Sequence, residues 1–279
     1  MTTVAIIGAG ELGGAVAQAL AARDAATRLV IIDHAASAAA GKALDIQQMG
    51  AISGWHTRLR GTADMADAIG CTVCIIADRF GGGEWQGEEG RAMLVTLART
   101  VGDASLVLAG ATQTDLLTRA VRDAGWRRQR VIGSCTEAFA SSIRAIVALE
   151  AHCAPAEVML SVVGVPPGIV VAWSEATIGG FALDRVLSPV QLGRVQARGA
   201  RLWPPRPFNL GMAAATVAEG MIRGARRTFN VLAVLDGEHG VRGRVGAVPA
   251  FVNQGGIAAT RTPSLSTRER VLLDTALGT

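Results

Sequence analysis

Gly8, Gly10 and Gly13 stand in the run Gly-Ala-Gly-Glu-Leu-Gly, directly after the apolar stretch Val4–Ile7. Glycines at this spacing serve a phosphate-bearing ligand. The first permits a tight turn, the second lets the backbone approach a pyrophosphate, and the third lets the next helix pack close to its strand. That helix begins with unpaired N–H groups and the positive end of its dipole aimed at the turn. Asp33 closes a second apolar stretch, 23 positions after Gly10. A carboxylate there accepts hydrogen bonds from ribose hydroxyls and repels a 2′-phosphate, which favours NAD over NADP.

Other reactive side chains are scattered. Cys71 and Cys74 have CxxC spacing, but they lie in an apolar run that reads as a strand. Their side chains are then expected on opposite faces, in a structural role. Cys135 and Cys153 supply no second pair, so zinc is not expected. His56, His152 and His239 are read as exposed or packed structural residues. The basic cluster Trp126–Arg130 reads as a solvated turn before a strand. Arg79, Glu84, Glu88, Glu89 and Arg91 crowd one short stretch. A solvated charged loop is the simpler reading of it, and a ligand-recognition loop is the alternative.

The elements that position the glycine motif alternate in type. Strands are predicted at Val4–Gly8, Arg28–Asp33, Cys71–Ala77, Ser105–Ala109 and Arg130–Gly133. Helices are predicted at Glu11–Arg23, Ala38–Met49, Glu88–Val101 and Asp115–Ala124, with a Gly-rich loop at Phe80–Gly83. Continuous Val/Ile/Leu strands alternating with helices indicate a parallel sheet covered on both faces. The second half changes character. It is expected to hold a helix over Ser141–His152 and a hairpin from Val158–Val165 and Gly168–Trp173. A proline-rich loop follows around Pro204, Pro205 and Pro207, then a helix over Ala213–Gly224. Strands are predicted at Asn230–Leu235 and Arg244–Val252. A last helix over Thr267–Leu277 is capped by Ser266 or Thr267, with Glu269 close behind. The fold class is α/β: a Rossmann-type doubly wound sheet in residues 1–140 and an α/β (α+β) domain in 141–279.

The chain has 279 residues, half of them apolar, 18% charged, with a net charge of +4. That composition supports a large core and excludes global disorder. No basic run is interleaved with aromatics, so no nucleic-acid partner is expected. No apolar run approaches the roughly 20 residues of a bilayer span, and no leader is recognised. A cytoplasmic protein without a membrane partner is the expectation.

From these motifs outward, the sequence resembles the lactate/malate dehydrogenases over nearly its whole length. Besides Gly8–Gly13, the resemblance rests on GKALDIQQ (Gly41–Gln48), RVIGS (Arg130–Ser134), ATIGGFAL (Ala176–Leu183), LDGEHGVRGRVGAVPAFV (Leu235–Val252) and LSTRERVLLDTA (Leu265–Ala276). It implies NAD as cofactor and a homodimer or homotetramer. It also implies cofactor contacts at Gly8, Gly10, Glu11, Leu12, Gly13, Asp33, Ala77 and Thr112, the last standing where the family has an asparagine touching the nicotinamide ribose.

Hydride exchange with a 2-hydroxy acid needs a proton-exchanging group, a carboxylate to orient it, and arginines to clamp the substrate carboxylate. At the matching family positions the histidine falls on Pro166, the orienting aspartate on Phe139 and one clamp arginine on Ser142. Only a second, non-clamping arginine is kept, as Arg144. The family's mobile-loop arginines fall on Gly81 and Gly87. The leading expectation is therefore an NAD-binding relative without ordinary 2-hydroxy-acid dehydrogenase activity. Two alternatives stay open. One is an active NAD-dependent oxidoreductase acting on a different small molecule. The other is a non-catalytic oligomeric scaffold, whose glycine loop would be blocked by a side chain such as Glu11.

Overall fold

In the computed structural model, which describes residues 2–278, the apolar runs pair in the order the glycine motif requires. The first half contains β1 (Thr3–Ile7), α1 (Glu11–Ala21), β2 (Arg28–Ile32), α2 (Ala36–Ser53), β3 (Arg58–Thr62) and β4 (Val73–Ile76). A small hairpin follows, β5 (Asp78–Arg79) and β6 (Gly83–Glu84). Then come α3 (Gly87–Thr100), β7 (Ser105–Leu108), α4 (Thr114–Arg122) and β8 (Val131–Gly133). Strands β3, β2, β1, β4, β7 and β8 lie side by side in that order, all parallel. This is the doubly wound arrangement, with its topological switch between β1 and β4, where Gly8 and Ala77 emerge. The side chains of Val4–Ile7, Leu29–Ile32 and Val73–Ile76 are buried, as strands covered on both faces require.

The second half continues the same sheet. It comprises α5 (Cys135–Ala151), β9 (Val158–Met159), β10 (Val162–Val165), β11 (Gly168–Val171), β12 (Thr177–Ile178), β13 (Phe181–Ala182), α6 (Leu183–Val186), α7 (Pro189–Gly199) and α8 (Pro207–Arg223). It ends with β14 (Thr228–Asp236), β15 (Arg242–Asn253), β16 (Gly256–Thr260) and α9 (Thr267–Leu277). β14 joins β8 antiparallel, and β15, β10 and β11 extend the sheet beyond it. The hairpin expected around Pro166 and Pro167 is the β10–β11 pair. α9 starts at a complete capping box, with Ser266 and Glu269 satisfying each other's N–H groups.

Several expectations are corrected. β3 was not anticipated, because Arg-Leu-Arg-Gly-Thr carries no apolar run; as an edge strand it needs none. The predicted Gly-rich loop, Phe80–Gly83, is the turn of the β5–β6 hairpin. α5 begins at Cys135, six residues earlier than read, and the expected division at residue 140 falls inside it. Its first turns are buried all round, so no amphipathic boundary marks the start. Cys71 lies just before β4 instead of within it, and its thiol interacts with that of Cys74, so the two do not face apart. Among the described residues, no helix is long and apolar enough to cross a membrane.

The halves are clamped where α8 crosses α1. A Cβ on Gly211 would lie 2.6 Å from the Ala15 Cβ and 3.0 Å from the Val16 nitrogen, so only glycine permits this approach. Gly211→Val is expected to lower unfolding stability by about 1–3 kcal/mol through overpacking. A urea midpoint equal to wild type would contradict that contact.

Candidate functional site

The glycine turn lies at the carboxyl edge of the parallel strands. Gly8 has φ 120°, a conformation other residue types rarely adopt, and its N–H donates to the Ile32 carbonyl at 2.7 Å. Gly10 caps α1 and offers no side chain to the orphan N–H groups of the first turn. The Lys42 ammonium, from α2, donates to the Gly10 carbonyl at 2.8 Å and braces the turn from outside. Leu12 is buried under the turn and Glu11 is exposed beside it.

Asp33 follows β2 and is only 4% exposed. One carboxylate oxygen accepts from the N–H of Ala9 at 2.8 Å and of Phe80 at 2.9 Å. The other accepts from the Ala35 N–H at 3.0 Å and lies 2.8 Å from the His34 Nδ1. Burial alone would raise its pKa. The N–H donors of Ala35, Ala9 and Phe80, with the adjacent imidazole, outweigh that and hold it below the ordinary value.

The anion seat at the start of α1 holds a carboxylate from this same chain. Asp78 accepts the Gly13 N–H at 3.0 Å, and its backbone carbonyl accepts the Gly10 N–H at 3.0 Å. A Cβ added to Gly10 would fall onto the Asp78 carboxylate, and one on Gly8 onto the Asp78 carbonyl. The space those glycines open is therefore filled by Asp78. Glu11, the side chain expected to block the loop if anything did, lies outside it. The seat fits an anionic group, and the carboxylate is a stand-in for a phosphate oxygen pair.

Thr112 is treated the same way from the far end of the hairpin. Glu84 accepts from the N–H groups of Ala111 at 3.0 Å and Thr112 at 2.8 Å, and from the Thr112 hydroxyl at 2.6 Å. Gln86 also donates to that hydroxyl, at 2.8 Å. Between the two ends, Arg79 ties the hairpin to its own turn and to the start of α3. It bonds Glu89 at 2.5 Å and the Gly82 carbonyl at 3.0 Å, and stacks 4.9 Å from the centre of the Trp85 ring. These contacts were not foreseen. The crowding of Arg and Glu in residues 79–91 was the only signal for them.

Phe139, Ser142 and Pro166, the residues that fall at the expected acid–base positions, each have packed or hydrogen-bonded surroundings of their own. Phe139 is 5% exposed, with its ring edge-on to Trp203 at 6.0 Å. Ser142 donates to the Ala138 carbonyl at 3.2 Å and accepts from Asn209 at 2.8 Å. Pro166 sits in the β10–β11 turn, joined to Pro167 by a cis peptide bond. Arg144 bonds the buried Glu137 at 2.6 Å, and Glu137 also accepts the Asn230 N–H at 2.8 Å. Arg144 is thus paired within α5 to Glu137, the residue that ties α5 to β14. A cavity of about 600 Å³ opens beside Phe139, walled by Val171, Trp173, Leu272 and Ala276, with Arg268 at its edge. His239 lies elsewhere, between β14 and β15, and burial together with Arg270 lowers its pKa.

Asp33→Ala strands three N–H donors, and about 2–4 kcal/mol of stability is expected to be lost. The native pKa is depressed, so the ionised carboxylate stabilises the fold above about pH 4 and loses that contribution as pH falls through the lowered value. The gap between wild type and Asp33→Asn in denaturant unfolding should therefore shrink between about pH 6 and pH 3. A pH-independent gap would contradict this assignment.

Comparison with known proteins agrees with the geometry. Residues 2–102 match the family model for the lactate/malate dehydrogenase NAD-binding domain. The chain is 29% identical to a malate dehydrogenase of Thioalkalivibrio sulfidiphilus, over 99% of this chain and 96% of that protein. The fold is similar to that of the malate dehydrogenase of Salinibacter ruber, with TM-score 0.90, 23% identity, and coverage of 99% and 94% of the two chains. It is also similar to that of the Cryptosporidium parvum lactate dehydrogenase solved with lactic acid and NAD, with TM-score 0.89, 22% identity, and coverage of 99% and 95%. NAD is the cofactor of the type of domain matched at residues 2–102, and the chain is similar to malate dehydrogenases over nearly its whole length.

Proposed function

We propose that this chain is an NAD(H)-binding protein that has given up hydride exchange with 2-hydroxy acids. The observation that carries the proposal is the chemistry of Phe139, Ser142 and Pro166. At the family positions for carboxylate, clamp and base, the chain offers an aromatic ring, a hydroxyl bonded to Ala138 and Asn209, and a ring without an exchangeable proton. A 2-hydroxy acid placed there would find neither a group to take its hydroxyl proton nor a planar cation for its carboxylate. The remaining arginine is neutralised by Glu137. On the cofactor side, Gly8, Gly10, Gly13 and Asp33 would form the cradle, with Glu11, Leu12, Ala77 and Thr112 along its path. Binding without turnover then points to a sensing or assembly role.

A second reading draws on the cavity beside Phe139. Its apolar walls suit a carbonyl compound that lacks a carboxylate, so the chain could remain an oxidoreductase on a changed substrate. Homo-oligomerisation is supported by apolar side chains left in solvent on neighbouring helices. Ile52 on α2 is 89% exposed and Phe208 on α8 is 71% exposed.

Titration calorimetry with millimolar NADH is expected to detect binding, while pyruvate and oxaloacetate give no NADH oxidation. Turnover of either acid would overturn the proposal. Oxidation of NADH by other members of a carbonyl panel would favour the second reading.

A further inference from the structure

We propose that the segment Asp78–Glu84 is a built-in strap that occupies the dinucleotide seat, and that NAD(H) enters only by displacing it. This rests on the NAD-binding reading and goes beyond it, because it makes the site self-inhibited. Three groups of one short segment engage three separate parts of the expected cofactor path. The Asp78 carboxylate holds the Gly13 N–H at the start of α1. The Phe80 N–H holds the Asp33 carboxylate, which would otherwise accept from ribose hydroxyls. The Glu84 carboxylate holds Ala111 and Thr112 at the other end.

The chemistry at each point matches that of a dinucleotide in kind. An acid replaces the pyrophosphate on N–H donors, a donor replaces the ribose hydroxyl on Asp33, and a second acid lies on the Thr112 hydroxyl. Steric overlap makes the two arrangements exclusive. The volume left by the missing side chains of Gly8 and Gly10 contains Asp78, and a Cβ on Gly110 would meet the Glu84 carboxylate. Arg79, through Gly82 and Trp85, makes the strap a folded unit, hinged to α3 by its bond to Glu89.

A ligand whose competent state is only fractionally populated binds more weakly by that fraction. Weakening the strap therefore tightens binding. Asp78→Ala is expected to strengthen both NADH and ADP binding about tenfold, the effect of losing one charge-assisted hydrogen bond. Glu84→Ala should strengthen NADH and ADP alike, since releasing that end raises the fraction of chains with the strap open. Melting curves are to check that each variant is folded.

A second measurement uses the wild-type chain alone. Amide hydrogen exchange over residues 78–84 should rise when NADH is added, because Phe80 loses its acceptor. NADH binding by wild type with unchanged or weaker affinity in both folded variants would overturn the strap while leaving the NAD-binding reading intact. Reduced or unchanged exchange over 78–84 on NADH addition would overturn it as well. Binding by none of the three proteins would overturn both readings and leave a scaffold whose seat is permanently plugged.

Discussion

The Asp33 carboxylate is the junction on which the rest of the site depends. It gathers N–H groups from the glycine turn, from the entry to α2 and from the hairpin after β4. Each of these segments leaves the same sheet edge from a different strand. Without a shared acceptor, the buried Ala9 N–H would be left unpaired, and the part-buried N–H groups of Ala35 and Phe80 would lose their partner. One side chain thus sets the shape of the turn, the start of α2 and the position of Asp78 together. The parallel strands deliver these segments to one edge, and Asp33 decides how they meet there.

Much of this frame was legible in the sequence. Val4–Ile7, Arg28–Ile32 and Val73–Ile76 carry continuous apolar runs that can only be strands buried on both faces. The Ser266 and Glu269 pair announced α9 by local chemistry alone. β3 and the start of α5 were not legible, for opposite reasons. β3 is held by neighbours and needs no apolar signal of its own. The first turns of α5 are enclosed on all sides, so their apolar residues show no period. The cysteine pair was misplaced because residues 71 and 74 straddle a strand boundary that the run of apolar residues hides.

The candidate site was legible in its parts and not in its assembly. Spacing alone located Gly8, Gly10, Gly13 and Asp33. Nothing in the run Asp-Arg-Phe-Gly-Gly-Gly-Glu states that its two acids reach partners 65 and 28 residues away. Such contacts depend on the sheet order, which puts β4 between β1 and β7. The proposed readings of Phe139, Ser142 and Pro166 rest on family positions, which are tied to sequence. The packing of Phe139 on Trp203 and of Ser142 on Asn209 follows from how α5, α8 and the loop before α8 converge.

A carboxylate covalently joined to the site it fills is a competitor that cannot diffuse away. Short tethers give local concentrations on the order of millimolar or more, and closing a loop of a few residues costs little entropy. A nucleotide must therefore reach comparable levels before it wins the same N–H groups. Asp78 then acts as a threshold written into the chain. It makes the fold indifferent to scarce dinucleotide, because the glycine turn carries its own counter-charge until a dinucleotide displaces it. Any response to NAD(H) begins only when the cellular pool is large enough to outbid a tethered acid.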